Sequence, residues 1–215
     1  MKKNIKEECN VRVVPIGVEL LNIDIPDYTL KSYKLIEEAG RTCYKSENKN
    51  NSRELTESFI RGLIKSGHTS VLEHLSISAR IVCDRGTSHQ LVRHRHIAVS
   101  QQSTRYVSSE PLEVIKPISL KEGTDEYAKW LIAMFETSQT YAKLMDLGVG
   151  KDIARSVLPI CTKTELVITA NAREWRHIIE QRSSKHAHEN IREVSKLLLD
   201  ELMGILPVLF EDLEV

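Results

Sequence analysis

Residues 75–106 read LSISARIVCDRGTSHQLVRHRHIAVSQQSTRY. Between residues 75 and 83, apolar side chains occupy every second position, which is the period of a strand with one buried face. Asp84 and Gly86 follow and are predicted to end this strand. Cys83 lies on its apolar side and is predicted to belong to the core, where a thiol would be inert.

A short helix is predicted next, beginning at Thr87 or Ser88. It would carry Gln90, Arg93 and His94. Residues three or four positions apart share a helix face, so the polar ends of these side chains are expected to converge.

A cluster of basic side chains follows, accompanied by short polar residues up to position 104. Its members are Arg93, His94, Arg95, His96 and Arg105. Guanidinium groups present planar pairs of donors that match phosphate and carboxylate oxygens, and arginines this close repel one another unless an anion lies between them. An exposed basic turn is the simplest alternative. The added serines, glutamines and Tyr106 favour a ligand with a phosphate and a polar ring.

Composition limits the partners that this cluster can have. Thirty basic residues balance thirty acidic ones, which disfavours a long polyanion such as duplex nucleic acid. The chain has 41% hydrophobic and 28% charged residues, typical of one globular domain spanning residues 1–215. No segment is apolar enough to be a signal peptide or to span a membrane. The scattered cysteines indicate reduced thiols in a cytoplasmic protein, and they are Cys9, Cys43, Cys83 and Cys161.

Periodicity and capping signals predict the other elements. They are a strand at 11–14, a helix over 30–42, an exposed loop at 45–52, a helix from Ser52 to Gly67, a polar turn at 68–74, a long helix from Thr124 to Leu147, a short helix over 150–158, a strand over 162–170 and a closing helix over 191–202. The aromatic and Met stripe of the long helix is interpreted as core. Asn171, with Glu174 three residues later, is typical of a helix N-cap; this terminus could bind an anion, although ordinary capping also explains the pattern.

Four separated blocks resemble the flavin-dependent thymidylate synthases. The first is Arg93-His94-Arg95, then seven residues, Ser103 and Arg105-Tyr106. The others are His68–His74, which matches the family's His-x-Ser/Thr-x-x-Glu-His element, Arg155 just before Val-Leu-Pro, and Asn171-x-Arg173 followed by Arg182 and His186-Ala187. The blocks occur in the family's order, so independent chance matches are improbable.

The resemblance implies an α+β fold, with an antiparallel sheet flanked by long helices in a single domain. It implies conversion of dUMP to dTMP, with FAD as cofactor and NADPH and 5,10-methylenetetrahydrofolate as co-substrates. It also implies a homotetramer whose active sites combine residues of several subunits, although a compact single chain would equally explain the spacing of the blocks. No metal, nucleic acid or membrane partner is implied.

Residue roles are carried over position by position from the same resemblance. The dUMP-binding residues would be Gln90, Arg93, Gln101, Gln102, Ser103, Thr104, Arg105, Arg155 and Arg182. The FAD-binding residues would be Ser70, Glu73, Arg93, His94, Arg95, Gln101, Asn171, Ala172, Arg173 and His177. His68 and Tyr106 would border the folate. Arg182 would be catalytic, because a fixed cation at the pyrimidine edge favours negative charge developing on N3 and O4, and no protein nucleophile is needed.

The sequence departs from the common family pattern at a few positions. Ser100-Gln101 replaces a frequent Asn-Glu, and Ala98 replaces a usual serine. His177 stands where asparagine often occurs, and Asn190 stands where glutamate usually precedes Ile-Arg. These changes leave the arginines unaltered but put the contacts of Gln101 and His177 in question.

Two other functions compete with the enzyme. His94-x-His96 and His186-x-His188 suggest a metal hydrolase, but a divalent cation beside Arg93 and Arg95 is electrostatically unfavourable. The arginines with Tyr106 suggest a single-stranded RNA-binding module, against which stand the zero net charge and the 5% aromatic content.

Overall fold

A computed structural model of the protein describes residues 10–45 and 52–215. Most of the exposed loop predicted at 45–52 falls outside these residues. The strands are β1 (Val11–Val13), β2 (Gly17–Leu21), β3 (Ser76–Asp84), β4 (Ile97–Gln101), β5 (Leu112–Val114) and β6 (Lys163–Asn171). The helices are α1 (Tyr28–Tyr44), α2 (Arg53–Lys65), α3 (Arg85–Leu91), α4 (Asp125–Asp146), α5 (Lys151–Ala154), α6 (Ala172–Arg182), α7 (Glu189–Ile205) and α8 (Pro207–Phe210). Short 3₁₀ helices cover Thr69–His74 and Arg155–Val157.

The main sheet has four antiparallel strands in the order β2-β3-β6-β4. Its two long central strands pair from Ser76 opposite Asn171 to Asp84 opposite Lys163. β4 lies at one edge and pairs with β6, while β1 and β5 form a separate parallel pair. The predicted α+β fold with an antiparallel sheet and flanking helices is confirmed.

The buried face of β3 follows the predicted alternation. Ile77, Ala79, Ile81 and Cys83 are all buried and contribute to the main core, together with β6 and α7. Trp175 on α6 is fully buried and donates its indole N–H to the carbonyl of Ile77 at 3.0 Å. Burying one large apolar side chain is worth about 1.5–3 kcal/mol, so these contacts fix α6 firmly against the sheet.

The long helix is confirmed, but the role given to its apolar stripe is only partly right. Thr124 caps α4 by accepting a hydrogen bond from the Tyr127 backbone at 3.2 Å, and Gly148 follows the helix with φ 79°. Met134 and Tyr141 of the stripe are buried, whereas its other members are only half-buried: Tyr127, Leu131, Phe135, Leu144 and Met145. Ile132, outside the stripe, is 58% exposed. The helix packs against the small sheet formed by β1 and β5, so a single chain covers only part of its apolar surface.

The helix predicted to start at Thr87 or Ser88 and to carry His94 was placed wrongly. α3 starts at Arg85, because the Asp84 carboxylate accepts a hydrogen bond from the Thr87 backbone at 2.7 Å and so caps the helix earlier. It ends at Leu91, and His94 lies in the connection to β4. β2, β4 and β5 were not predicted.

Candidate active site

One end of the sheet collects most of the predicted flavin residues. Ser76 pairs with Asn171 and Ile97 pairs with Ala170, so the 3₁₀ helix before β3, the connection before β4 and the start of α6 meet at this end. A cavity of about 520 Å³ opens here, within the size range of cofactor sites. It is lined by Thr69, Glu73, His96, Asn171, Arg173, Glu174, Arg176, His177 and Glu180.

The N-terminus of α6 gives this cavity a positive edge. The Asn171 side chain caps the helix by accepting from the Glu174 backbone at 2.8 Å, which confirms the predicted N-cap. Arg173 and His177 are both exposed and lie one helical turn apart. Arg173 forms an ion pair with Glu73 at 2.5 Å across the cavity. Free backbone N–H groups, the helix dipole and Arg173 together favour a bound anion.

Five other predicted flavin residues lie close in sequence to the cavity lining but do not form it: Ser70, Arg93, His94, Arg95 and Ala172. The sixth, Gln101, lies at the opposite end of β4 beside Thr164, so its assignment to this cavity is not supported within one chain. Ser70 and Arg95 are exposed, and Ala172 is buried. His94 is buried beneath the site and turns both ring nitrogens toward α6. His177 lies edge-on to it, with ring centroids 5.6 Å apart.

Arg182 at the end of α6 is held by two neutral acceptors. Its Nε donates to His94 Nε2 at 3.0 Å, and its Nη2 donates to the Gln90 carbonyl at 3.0 Å. Burial lowers the pKa of Arg182, and burial, together with the charge of Arg182, lowers the pKa of His94. His94 is therefore neutral at pH 7, and no carboxylate pairs directly with the Arg182 guanidinium within the described ranges.

The opposite end of β4 carries the second group of predicted residues. Arg155 donates from Nη1 to Thr104 Oγ1 at 3.2 Å, and Ser103 Oγ accepts from the Arg105 backbone at 3.2 Å. A cavity of about 540 Å³ beside Thr104 and Arg155 also contacts His89. Arg105 stacks over the ring of Tyr106, whose side chain is 73% exposed.

The structure adds Arg85, which the sequence interpretation missed. Arg85 lines both the 540 Å³ cavity and a smaller one of about 30 Å³ that also contacts Gln102 and Ser103. Arg85 Nη1 and Gln102 Oε1 are buried, and neither has a hydrogen-bond partner among the described residues. A buried donor without a partner is costly and points to a ligand or water. The available signal was an arginine in the first turn of a helix, where the dipole disfavours cations.

The two groups do not meet within one chain. His96 and Gln102 lie six residues apart across an extended strand, about 20 Å at the usual rise per residue. Arg182 and Gln90 belong to the group at the His96 end, and exposed Arg93 follows the same helix. The predicted dUMP residues are thus divided between the two ends of β4.

Two departures from the family pattern have local explanations. Gln101 donates from Nε2 to the hydroxyls of Ser88 at 3.0 Å and Thr164 at 3.2 Å, which a glutamate cannot do. Asn190 donates to Asp84 at 2.9 Å and accepts from the Ile118 backbone at 3.2 Å, so a glutamate at 190 would place two carboxylates together. Nothing in the structure explains Ala98, which lies exposed on β4.

The structure also bears on the competing interpretations. Both ring nitrogens of His94 face partners on α6, so His94 and His96 do not form a metal-binding pair. In the described part of the chain, no three His, Cys, Asp or Glu side chains are grouped to hold a metal ion. Nor does that part contain a helix of the length and apolarity needed to cross a membrane.

Comparison with known proteins identifies the family. The model of the family described as "Thymidylate synthase complementing protein" matches residues 24–208. A flavin-dependent thymidylate synthase of Mycolicibacterium gilvum is 38% identical over 198 residues, covering 84% of this chain and 79% of the relative. That of Mycobacterium leprae (strain TN) is 39% identical over 203 residues, covering 84% and 80%.

Solved structures share the fold. The UMP/dUMP methylase PolB from Streptomyces cacaoi, bound with 5-Br dUMP, superposes with a TM-score of 0.76 at 24% identity, covering 94% of this chain and 95% of that one. The predicted resemblance is confirmed: the chain belongs to the thymidylate synthase complementing protein family, whose named relatives are flavin-dependent thymidylate synthases.

Proposed function

We propose that this chain is a flavin-dependent thymidylate synthase that converts dUMP to dTMP. 5,10-Methylenetetrahydrofolate would donate the one-carbon unit and NADPH would be the reductant. Family membership supports the reaction. The structural observation that carries the proposal is Arg182, a half-buried cation held in a fixed plane by neutral acceptors and linked through His94 to Glu174 in the lining of the cavity at the start of α6. Its charge stays available to a substrate.

The cavity at the start of α6 suits FAD. Arg173, Asn171 and the free backbone N–H groups of the helix would hold its anionic groups, with Glu73 and His177 at the edges. Ser70, Arg93, Arg95 and Ala172 remain flavin-side candidates from the family pattern, with buried His94 behind them. Gln101 lies at the opposite end of β4 and is not part of this group in one chain. When bound, FAD supplies the redox chemistry of the reaction. This chain's residues bind the cofactor and orient it.

The nucleotide phosphate would lie at the far end of β4. Ser103, Thr104, Arg105 and Arg155 offer hydroxyl and guanidinium donors there, and we add Arg85 because its buried Nη1 lacks a partner among the described residues. Gln102 lines the adjoining small cavity. Charge-assisted hydrogen bonds to phosphate are stronger than those between neutral groups, so these phosphate-binding residues would contribute most of the nucleotide affinity.

The uracil ring would lie against Arg182, Gln90 and Arg93. Methylation at C5 requires electron density pushed into the ring, and negative charge then develops on N3 and O4. A fixed cation at that edge stabilises this charge, and removing such a donor typically costs about 10²–10³ in kcat. No protein nucleophile is part of the proposal, so Ser103 serves as a binding hydroxyl. His68 and Tyr106, both exposed, would border the folate.

A complete site would therefore require more than one copy of the chain, in a homotetramer. The support is the division of the nucleotide residues between two ends of one strand and the apolar surface that α4 leaves uncovered. Oligomers with closed symmetry bring the same surfaces together repeatedly, so each contact would complete an equivalent site. The reduced cysteines Cys43, Cys83 and Cys161 suit a cytoplasmic location.

The purified protein tests the proposal directly. Yellow protein with flavin absorption bands that releases tritium from [5-³H]dUMP, only when both methylenetetrahydrofolate and NADPH are present, is the expected result. Colourless protein that releases no tritium after loading with FAD would contradict it. Retention of a short RNA in a gel-shift assay by such a protein would favour the RNA-binding alternative.

A further inference from the structure

The Arg182 guanidinium is fixed by hydrogen bonds that do not neutralise it. A guanidinium has only donors, and two of them are engaged, Nε to His94 Nε2 and Nη2 to the Gln90 carbonyl, each at 3.0 Å. Two anchors on different nitrogens define the plane of the group. The remaining N–H groups of Arg182 keep that plane and have no partner among the described residues, so they can face a ligand.

This arrangement requires one tautomer of His94. Because Arg182 can only donate, His94 Nε2 must be the acceptor, and the single ring proton must lie on Nδ1. Nδ1 faces Glu174 Oε1 at 3.4 Å, at the outer limit of a hydrogen bond, and the imidazole side chain is only 3% exposed. A carboxylate at this position favours the Nδ1–H tautomer and fixes the ring orientation.

Glu174 is itself held in place by the start of α6. Its backbone N–H donates to the Asn171 cap at 2.8 Å, and its side chain is mostly buried. Glu174 and Arg182 are eight residues apart on the same helix, and His94 from the neighbouring connection lies between them. Glu174, His94 and Arg182 therefore form a continuous series of contacts, which we term the positioning triad.

We propose that Glu174 is a positioning residue that sets the tautomer of His94 and thereby holds the Arg182 guanidinium in the plane of the bound pyrimidine. This inference rests on the proposed function, which gives Arg182 its role at the uracil edge. The neutral imidazole separates the carboxylate from Arg182, so Glu174 orients the cation without forming an ion pair with it. A carboxylate bound directly to Arg182 would neutralise the charge that the reaction uses.

A direct flavin contact by Glu174 is the competing explanation, since Glu174 lines the cavity assigned to FAD. The two roles differ in what they affect. A flavin contact would act on cofactor affinity. A positioning role would act on kcat and leave bound flavin and the KM for dUMP nearly unchanged.

The first test compares Glu174→Ala with Glu201→Ala, a control that removes the same charge from the exposed surface of α7, outside the two large cavities. Removing a residue that orients a functional side chain typically lowers activity about 10- to 100-fold, so kcat of Glu174→Ala is expected to fall about 10-fold or more. Its flavin content and its KM for dUMP should stay within about twofold of wild type. Glu201→Ala should retain the wild-type kcat. Unchanged kcat in Glu174→Ala, or a fall that follows loss of flavin, would overturn the proposal.

The second test uses amides in place of the imidazole. Glutamine at position 94 can place its side-chain oxygen where Nε2 accepts from Arg182, whereas asparagine is too short. His94→Gln should therefore retain more of kcat than His94→Asn, and equal losses in the two flavin-loaded variants would contradict the triad.

The third test does not depend on turnover. Nitrogen NMR of ¹⁵N-histidine-labelled wild type should show His94 as the Nδ1–H tautomer, and Glu174→Ala should show a mixture. A wild-type Nε2–H tautomer would refute the triad. Failure of the wild type to methylate dUMP would instead refute the proposed function, so the two failures are distinguishable.

Discussion

The proposed role of Arg182 depends on the residues that orient its guanidinium as well as on its charge. Both of its acceptors are neutral, so the hydrogen bonds fix the group while leaving its charge unpaired. Other arginines of the chain pair with carboxylates, as Arg61 does with Glu211. An oriented cation of this kind is what the proposed role of Arg182 at the uracil edge requires.

We predict that Arg182→Lys retains the fold and the flavin but loses about 10²-fold or more in kcat. Lysine keeps the charge but cannot donate from two nitrogens in one plane, so both anchors and the ligand contact cannot form together. Steady-state kinetics with dUMP and flavin absorbance measure the two effects. Arg192→Lys on the exposed surface of α7 is the control and should behave as wild type.

His94 makes stability depend on pH in a defined direction. Burial first, and then Arg182, lowers its pKa below the ordinary 6.5, while Glu174 partly opposes the shift. As pH falls below 6.5, the unfolded chain takes up a proton at His94 before the folded protein does. The free energy of unfolding therefore decreases from pH 6.5 down to the lowered pKa of the folded state.

The measurement is urea unfolding of wild type and His94→Gln at a series of pH values between 7 and 5. The wild type should lose stability more steeply across this range than the variant. Because Glu174, His177 and Arg182 face position 94 in both proteins, the difference between the two slopes isolates His94. Parallel slopes would show that folding does not shift the His94 pKa.

The sequence indicated which residues were candidates for the site better than it indicated which partners they contact. The N-cap at Asn171 was predicted correctly because helix caps have a recognisable pattern, whereas the roles of the arginines were taken from the family resemblance. The partners of His94 were not predicted. Glu174 is 80 positions away in sequence, and α3 begins at the Asp84 cap rather than at Thr87, so His94 lies beyond the end of the helix. Arg85 was given no role, because the helix was predicted to start after it.

At the level of elements, a buried polar contact ties α7 to the start of α3. Asn190 Nδ2 donates to Asp84, which also caps α3 through Thr87. Both Asn190 and Asp84 are almost fully buried. This contact sets the start of the helix that carries Gln90, and so one of the anchors of Arg182.

We predict that Asn190→Glu destabilises the protein by about 3 kcal/mol, because it buries a second carboxylate beside Asp84. Urea unfolding measures the change. The double variant Asp84→Asn/Asn190→Glu restores one donor and one acceptor and should recover part of the loss, since the amide oxygen introduced at position 84 can still cap α3. No recovery in the double variant would show that the loss has another origin.

Elements with strong periodicity were predicted and weakly patterned ones were not. β3, α4 and α6 combine clear alternation or helical spacing with recognisable caps. β4 is a short edge strand with mostly exposed side chains, and its sequence Ile-Ala-Val-Ser-Gln lacks the apolar–polar alternation that predicts a strand. It forms because β6 supplies hydrogen-bonding partners that no local pattern reveals.

At the scale of the whole molecule, we expect the exposed surface of α4 to form subunit contacts. Ile132 is 58% exposed, and its substitution in an isolated chain should change stability by less than about 0.5 kcal/mol. We predict that Ile132→Asp reduces the assembled mass in light scattering, from four times 24.5 kDa toward smaller species. Leu55→Asp on α2, with similar exposure, is the control for a general loss of solubility. A tetramer that persists in Ile132→Asp would place the subunit contacts elsewhere.

The arrangement of the site could not be predicted from the sequence. The motifs supplied the residues, but only the contacts in the structure show that Arg182 bonds to Gln90 and His94, which precede β4, while Arg155 bonds to Thr104, which follows it. Sequence spacing was equally compatible with a compact single-chain site.

Coexpression of Arg182→Ala and Arg155→Ala chains, carrying different affinity tags, tests the central claim most directly. Each variant alone should lack dUMP methylation. If each site takes Arg182 from one copy and Arg155 from another, mixed assemblies contain intact sites, and purification through both tags should recover up to about a quarter of wild-type activity. Mixed assemblies as inactive as either variant alone, beside an active wild type, would show that the two groups do not join across subunits.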